Sequence, residues 1–308
     1  MSEQIAAGPR AVSRAHVSKA GIAVGLMLLG MLLFSANDVL GKWLVGTYSP
    51  AQVILLRSLA ALAVLMPFLM RDGIATLVRV ERPGLHALRI VFSTADVFCF
   101  YIAVMYLPLA NVMAFYLAAP IFVAAVSPFF LGERVGWRRW TAILVGFAGV
   151  LIALAPSRSS LEIPALLSLA GSLAFALMLV TTRAVGAASD KLLVTGPIAG
   201  AALAGLIISP FGWTPPSGRD VALMALLGMV SMAAYMCVNR ALKLAPAATV
   251  APYQYTLIVW AMLFGYPVFG DVPTPHMLTG AAIIIAAGLF IFWREQKVRR
   301  QAAGEAAS

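Results

Sequence analysis

The chain has 308 residues, of which 62% are hydrophobic and only 11% charged, with a net charge of +10. An ordinary soluble domain carries about 25% charged residues, so this composition excludes a large water-soluble domain. Two cysteines exclude a disulfide scaffold. The basic residues lie in small groups between apolar segments with no continuous basic stripe, which excludes a nucleic-acid surface and leaves orientation in a bilayer as their use.

Long apolar runs, broken by Pro, Gly or charge, predict ten membrane spans of about 20 residues each. In chain order they are Gly21–Val45, Ala51–Met70, His86–Tyr106, Ala110–Leu131, Trp140–Ala155, Ile163–Thr182, Leu192–Phe211, Val221–Val238, Ala248–Phe269 and Pro275–Trp293. All are expected to be helices, because a helix satisfies its own backbone in lipid. The predicted fold class is therefore an all-α integral membrane protein with ten transmembrane helices. Residues 1–20 and 294–308 read as cytoplasmic tails. Gly21–Phe34 followed by Ser35-Ala36 has the outline of a signal peptide, but removing it would leave an odd span count and break the charge pattern.

That pattern is sharp. With the N-terminus in the cytoplasm, the inner side receives Arg10, Arg14, Lys19, Arg71, Arg79, Arg82, Arg89, Arg134, Arg138, Arg139, Arg183, Lys191, Arg240, Lys243, Arg294, Lys297, Arg299 and Arg300, which is 18 of the 22 basic residues. The outer side receives Lys42, Arg158 and Arg219, and Arg57 lies within a span. Positive residues accumulate on the cytoplasmic side of membrane proteins, so both termini are expected inside.

The chain also matches itself. At an offset of 138, Ser93, Ala95, Cys99, Ala103, Pro108, Ala110, Val112 and Gly132 fall on Ser231, Ala233, Cys237, Ala241, Pro246, Ala248, Val250 and Gly270, and Glu133 falls on Asp271. A weaker match at 141 lays Phe34, Val39 and Lys42 on Phe175, Val180 and Arg183. Two units follow, 21–155 and 156–293, each with five spans. An odd number of spans inverts the second unit relative to the first, an architecture recurrent in secondary transporters.

A basic N-tail, a second span opened by Ser49-Pro50 and carrying Arg57, the run Leu131-Gly132-Glu133-Arg134 and the five-plus-five pattern together resemble the EamA family of the drug/metabolite transporter superfamily. The likeness runs from about Gly21 to Trp293. The second unit departs from the pattern at Gly270-Asp271-Val272-Pro273, where Asp replaces Glu and no Arg follows. The segment Phe34-Ser35-Ala36-Asn37-Asp38-Val39-Leu40-Gly41-Lys42-Trp43 is similar to branches that contain riboflavin and S-adenosylmethionine importers. The resemblance implies a carrier of the cell inner membrane that moves a small organic metabolite by alternating access. Uptake of a vitamin or nucleoside-like compound is the first expectation, and export of amino acids or amphiphilic drugs the second.

Charge at membrane depth is costly and marks function by default. Asp38 and Arg57 each lie about 10 Å below the outer surface, on the two arms of a hairpin. Lys42, one turn after Asp38, competes as its partner. Asp96, ten residues into the third span, reaches the midplane within range of Arg57. These four residues sum to zero charge and are expected to form one network. The candidate substrate site is Asp38, Arg57, Asp96, Tyr101, Asn111, Tyr116, Asn239, Tyr253 and Gln254; Asp38 and Asp96 are also candidate sites for a coupling proton. Asn111 and Tyr116 correspond by repeat to Thr249 and Gln254, and Tyr101 to Asn239. Tyr235, Tyr255, Phe122 and Trp260 supply further rings. Pro120, Pro197 and Pro252 are candidate helix breaks. Glu133 and Arg134, beside Arg138 and Arg139, are the candidate inner gate.

Other chemistry is missing. His16, His86 and His276 stand in a tail or at helix ends, and Cys99 and Cys237 are isolated, so no metal site is expected. No phosphate-binding loop marks an ATP engine, and no cofactor is called for. An integral membrane enzyme or a channel is the rival class, without a motif to support it. The expected partners are a small-molecule substrate, the lipid bilayer and protons, with no nucleic acid, in a monomer or homodimer.

Overall fold

The computed structural model describes residues 9–72, 82–131, 137–154, 163–185, 190–244 and 250–305. Every element among them is helical. In chain order these are α1 (Pro9–Val45), α2 (Pro50–Asp72), α3 (Pro83–Tyr106), α4 (Leu109–Tyr116), α5 (Ala119–Leu131), α6 (Trp137–Leu154), α7 (Ile163–Val185), α8 (Asp190–Ile208), α9 (Gly218–Leu244), α10 (Thr256–Phe269) and α11 (Pro275–Glu305). Short 3-10 turns, Ser209–Gly212 and Ala251–Tyr255, follow α8 and precede α10.

Among the described residues, eight helices are long and apolar enough to cross a membrane, α4 and α5 counting together as Leu109–Phe130. The predicted fifth segment is the shorter apolar helix Trp140–Ala153. The predicted ninth divides into the 3-10 turn and the 14-residue α10. Residues with large apolar side chains, among them Phe129, Leu144, Phe211, Met236 and Leu263, remain exposed along the bundle. Such a surface suits lipid rather than water. The chain is a multi-pass membrane protein.

Several boundaries differ from the sequence reading. Prolines open α2, α3 and α11, where their missing N–H costs nothing. The first helix continues back to Pro9 and the last forward to Glu305, into the stretches read as tails. Of the candidate breaks, Pro120 stands at the start of α5 and Pro252 opens a 3-10 turn, whereas α8 runs unbroken through Pro197.

The helices associate in specific pairs: α3 with α7, α6 with α11, α1 with α9, and α2 with both α8 and α9. Small residues let backbones close in. A Cβ at Gly205 would lie 2.9 Å from the Ala51 carbonyl, and one at Gly280 would lie 2.5 Å from the Ala153 nitrogen. Three apolar clusters fill the space between. One joins α4, α5, α6 and α11, a second joins α1 to α4 with α9, and a third joins the first half of α1 to α9 and Val250.

Candidate functional site

The charged residues meet where α1, α2, α3 and α9 converge. On α2, Arg57 donates from Nη1 to the Tyr101 hydroxyl at 2.5 Å, and its Cζ lies 5.4 Å from the Tyr101 ring centroid. Tyr101 is fully buried. Gly41 of α1 makes its seat: a Cβ there would stand 2.6 Å from the tyrosine ring. On α3, Asp96 receives a hydrogen bond from the Tyr116 hydroxyl of α4 at 2.8 Å, and that hydroxyl also lies 3.2 Å from the Asp96 carbonyl. Gly171 of α7 leaves the room that Tyr116 occupies. Phe100 stands edge-on between the two tyrosines, 5.4 Å from one ring and 5.6 Å from the other. On α1, Asp38 receives a bond from Asn37 Nδ2 at 3.2 Å.

Neither carboxylate makes an ion pair among the described residues, although Arg57 acts electrostatically on both and Asp96 acts on Asp38. This is a spaced triad rather than a closed network. Buried opposite charges normally approach to contact, because only contact offsets their desolvation. Here the guanidinium is turned to a phenol, and two half-buried carboxylates keep acceptor positions open. Such a site favours a cationic group placed between them.

Tyr235 of α9 identifies the space they face. Its ring sits edge-on to Phe34 at 4.8 Å, and its hydroxyl lies within electrostatic reach of Asp38, Arg57, Asp96 and Arg89 on three other helices. It is nevertheless 45% exposed. Its ring is thus exposed while its hydroxyl lies in the field of charged groups from three other helices. Asn111 of α4 is half-buried with an unpartnered Oδ1, and Trp260 Nε1 is likewise unpartnered.

Other candidates lie apart. Tyr253 and Gln254 are exposed in the 3-10 turn before α10. Phe122 meets Phe147 at 5.3 Å, Trp260 stacks on Phe264 at 6.4 Å, and Tyr255 closes on Gly288, so these rings serve packing. Glu133, Arg134 and Thr249, and the side chain of Asn239, lie outside the described residues.

The expected pairing of Lys42 with Asp38 does not form. Lys42 Nζ reaches Asp271 Oδ2 at 2.5 Å, in the turn after α10, and lies 4.5 Å from the Phe269 ring centroid. The same oxygen accepts from the Leu109 backbone N–H at 3.0 Å. Four residues toward the end of α1 carry Lys42 away from the triad, and the first N–H groups of α4 attract a carboxylate there. The triad is left with two acids and one base. At the same end, Tyr48 donates to Asp220 at 2.6 Å, and this bond holds its hydroxyl above the ordinary phenol range. Gln52 clamps Thr214 there through both its amide groups.

One buried charge was not singled out from the sequence. Arg89 was grouped with the cytoplasmic loops, yet it is 6% exposed inside α3. It donates to Thr182 Oγ1 at 2.7 Å and to the Leu193 carbonyl at 2.5 Å. The signal was its position three residues inside the predicted span.

Comparison with known proteins decides the family. Residues 21–155 and 162–293 each match the EamA-like transporter family. The chain belongs to that family. Among relatives of this EamA-like protein, an S-adenosylmethionine uptake transporter of Rickettsia felis is 29% identical, covering 89% of this chain and 93% of its own. A riboflavin transporter of Rhizobium johnstonii is 30% identical, covering 93% of this chain and 96% of its own. A pseudopaline exporter of Pseudomonas aeruginosa is 28% identical over 85% of this chain and 93% of its own. A crystal structure with 19% identity superposes with a TM-score of 0.60, covering 86% of this chain and 94% of the other, and so shares its fold.

Proposed function

We propose that this EamA-like protein carries a small organic metabolite with a cationic group across the cell inner membrane, and that Asp38, Arg57 and Asp96 bind that group. The observation that carries this reading is the spaced triad: two carboxylates with open acceptor positions, held near one guanidinium that is engaged elsewhere. Among the named relatives, a carrier of S-adenosylmethionine moves a sulfonium, and the open ring edge of Tyr235 suits its planar base. Coupling to protons would use Asp96 or Asp38 as the exchanging group.

The carrier works by alternating access between two inverted units, 21–155 and 156–293, with both termini in the cytoplasm. Support comes from the family match, which occurs twice in tandem, and from the packing pairs. Exchanging the two units converts the α1–α9 pair into the α7–α3 pair and leaves the α2–α8 and α6–α11 pairs unchanged. The fourth span of each unit is interrupted at repeat-related positions, Leu117-Ala118 and Tyr255-Thr256. On this topology Lys42 and Asp271 close the outer end, and Tyr235 borders a cavity that opens inward. Interrupted helices lining such a cavity are a recurrent feature of secondary carriers.

Counterflow in proteoliposomes tests the reading. Labelled S-adenosylmethionine, riboflavin and a neutral amino acid are offered with and without a pH gradient. Saturable flux of the sulfonium compound, lost in Asp96→Asn, is the expected result. Equal flux in wild type and Asp96→Asn would sink the site. A second reading, export, has the pseudopaline exporter behind it; net efflux against an inward-directed substrate gradient would favour it.

A further inference from the structure

Arg89 stands on α3 about 9 Å along the helix from Pro83. Its Nε and Nη2 are pinned by Thr182 of α7 and the Leu193 carbonyl of α8, both neutral acceptors. Thr182 donates its own proton to the Met178 carbonyl at 2.7 Å, so its lone pairs are turned toward the guanidinium. The remaining nitrogen, Nη1, is buried and has no hydrogen-bond partner among the described residues. No carboxylate contacts Arg89 among the described residues. His86, one turn away and buried, adds no negative charge.

A guanidinium at this depth without a counter-charge among the described residues is costly to keep. The charge is compensated when an anion occupies the free edge. Arg89, Ser93 and Asp96 follow one another at i, i+4 and i+7 on a single face of α3, so the cation and the carboxylate are about 10.5 Å apart along the axis. Tyr235 lies within electrostatic reach of both and is itself exposed. One end of that α3 face is cationic and the other anionic.

We infer that Arg89 holds the carboxylate of a zwitterionic substrate whose cationic group lies at Asp96 and Asp38. The inference rests on the triad being the substrate site. It narrows the substrate class to metabolites carrying both a cation and a carboxylate a few bonds apart, and it sets aside uncharged ring compounds. A planar fork with one free edge matches a carboxylate.

The test varies ligand and protein together. Binding of S-adenosylmethionine and of its decarboxylated analogue is measured on the purified full-length protein in detergent. Wild type should favour the carboxylated compound by about 10- to 100-fold. In Arg89→Gln the preference should collapse toward one, by loss of affinity for the carboxylated compound alone. Asp190→Asn, at the first residue of α8, should keep the preference; its disappearance there would mean that the guanidinium answers a protein carboxylate, and would overturn the inference. Equal loss for both ligands in Arg89→Gln would assign Arg89 to fixing α7 and α8 instead. Wild-type indifference to the carboxylate, or binding of riboflavin with neither sulfonium compound, overturns the inference without any variant having to fold. If instead Asp96→Asn leaves both affinities unchanged, the triad reading itself has failed.

Discussion

Lys42 and Asp271, 229 positions apart in the chain, form an ion pair whose side chains are only 13% and 15% exposed. It ties the end of α1 to the turn between α10 and α11, and the Leu109 N–H ties α4 to the same carboxylate. Gly270 makes the geometry possible: at φ 68° it ends α10 in the left-handed region and turns Asp271 back toward α1. Three elements therefore depend on one carboxylate. Asp271→Asn and Lys42→Met should each lower the melting temperature, and a double-mutant cycle should give a coupling of about 1–2 kcal/mol. Thermal unfolding in detergent measures both. Additive effects would show that the pair contributes proximity without energy.

The repeat extends this pair to the other end of the bundle. Lys42 matches Arg183 at an offset of 141, and Asp271 matches Glu133 at 138. In an inverted duplication the counterparts of an outer contact form an inner one when the carrier turns over. Cysteines at positions 133 and 183, in a Cys99→Ser, Cys237→Ser background, should cross-link faintly in the parent and more strongly once Lys42→Met opens the outer end. Glu133→Gln should change the transport rate and leave substrate affinity unaltered. A cross-link independent of Lys42 would separate the two ends.

Asp96→Asn and Tyr116→Phe divide the work of the deepest carboxylate. The first removes the charge and should abolish transport while the protein still inserts and folds. The second removes one donor at 2.8 Å and leaves the charge. A hydrogen bond to a charged group contributes about 1.5–3 kcal/mol, so Tyr116→Phe should weaken substrate binding or coupling by about tenfold rather than end it. Initial rates over a substrate series, alongside size-exclusion profiles, resolve the two. An inactive Tyr116→Phe with a normal profile would give Tyr116 a direct role in substrate contact.

The sequence reading recovered what hydropathy and charge dictate. Segment order, the helical class and the placement of Asp38, Arg57 and Asp96 within helical spans follow from the free energy of placing backbone and charge in lipid, and those terms are read residue by residue. Partner choice is different. Lys42 lies on the same helix face as Asp38, and local spacing alone favours that pair. Its actual partner is set by where α10 ends, which depends on Gly270 adopting φ 68°. Arg89 was counted with the inner-side charge because it stands only three residues into its span, and sequence alone does not say that the side chain turns inward to Thr182 and Leu193. Tyr101 and Tyr116 were legible as polar side chains in apolar spans, yet nothing local says which charge each one meets. Gly41 and Gly171 determine that from other helices.

Those two glycines give the most direct test of how the triad is spaced. A methyl group at Gly41 would stand 2.6 Å from the Tyr101 ring and 2.9 Å from its hydroxyl, and Tyr101 has no exposed surface into which it can retreat. Gly41→Ala must therefore shift the ring or part α1 from α3, at a cost of about 1–3 kcal/mol. Either shift breaks the Arg57–Tyr101 bond and frees the guanidinium to pair with Asp38 or Asp96. The carboxylates would then be neutralised internally, and affinity for a cationic substrate should fall further than stability alone accounts for. Tyr101→Phe removes the bond while leaving the ring in place, so it should reproduce the loss of affinity with little change in melting temperature. Equilibrium binding and thermal unfolding on both variants separate the contributions. If Tyr101→Phe binds substrate as tightly as wild type, the phenol is not what keeps Arg57 from the carboxylates.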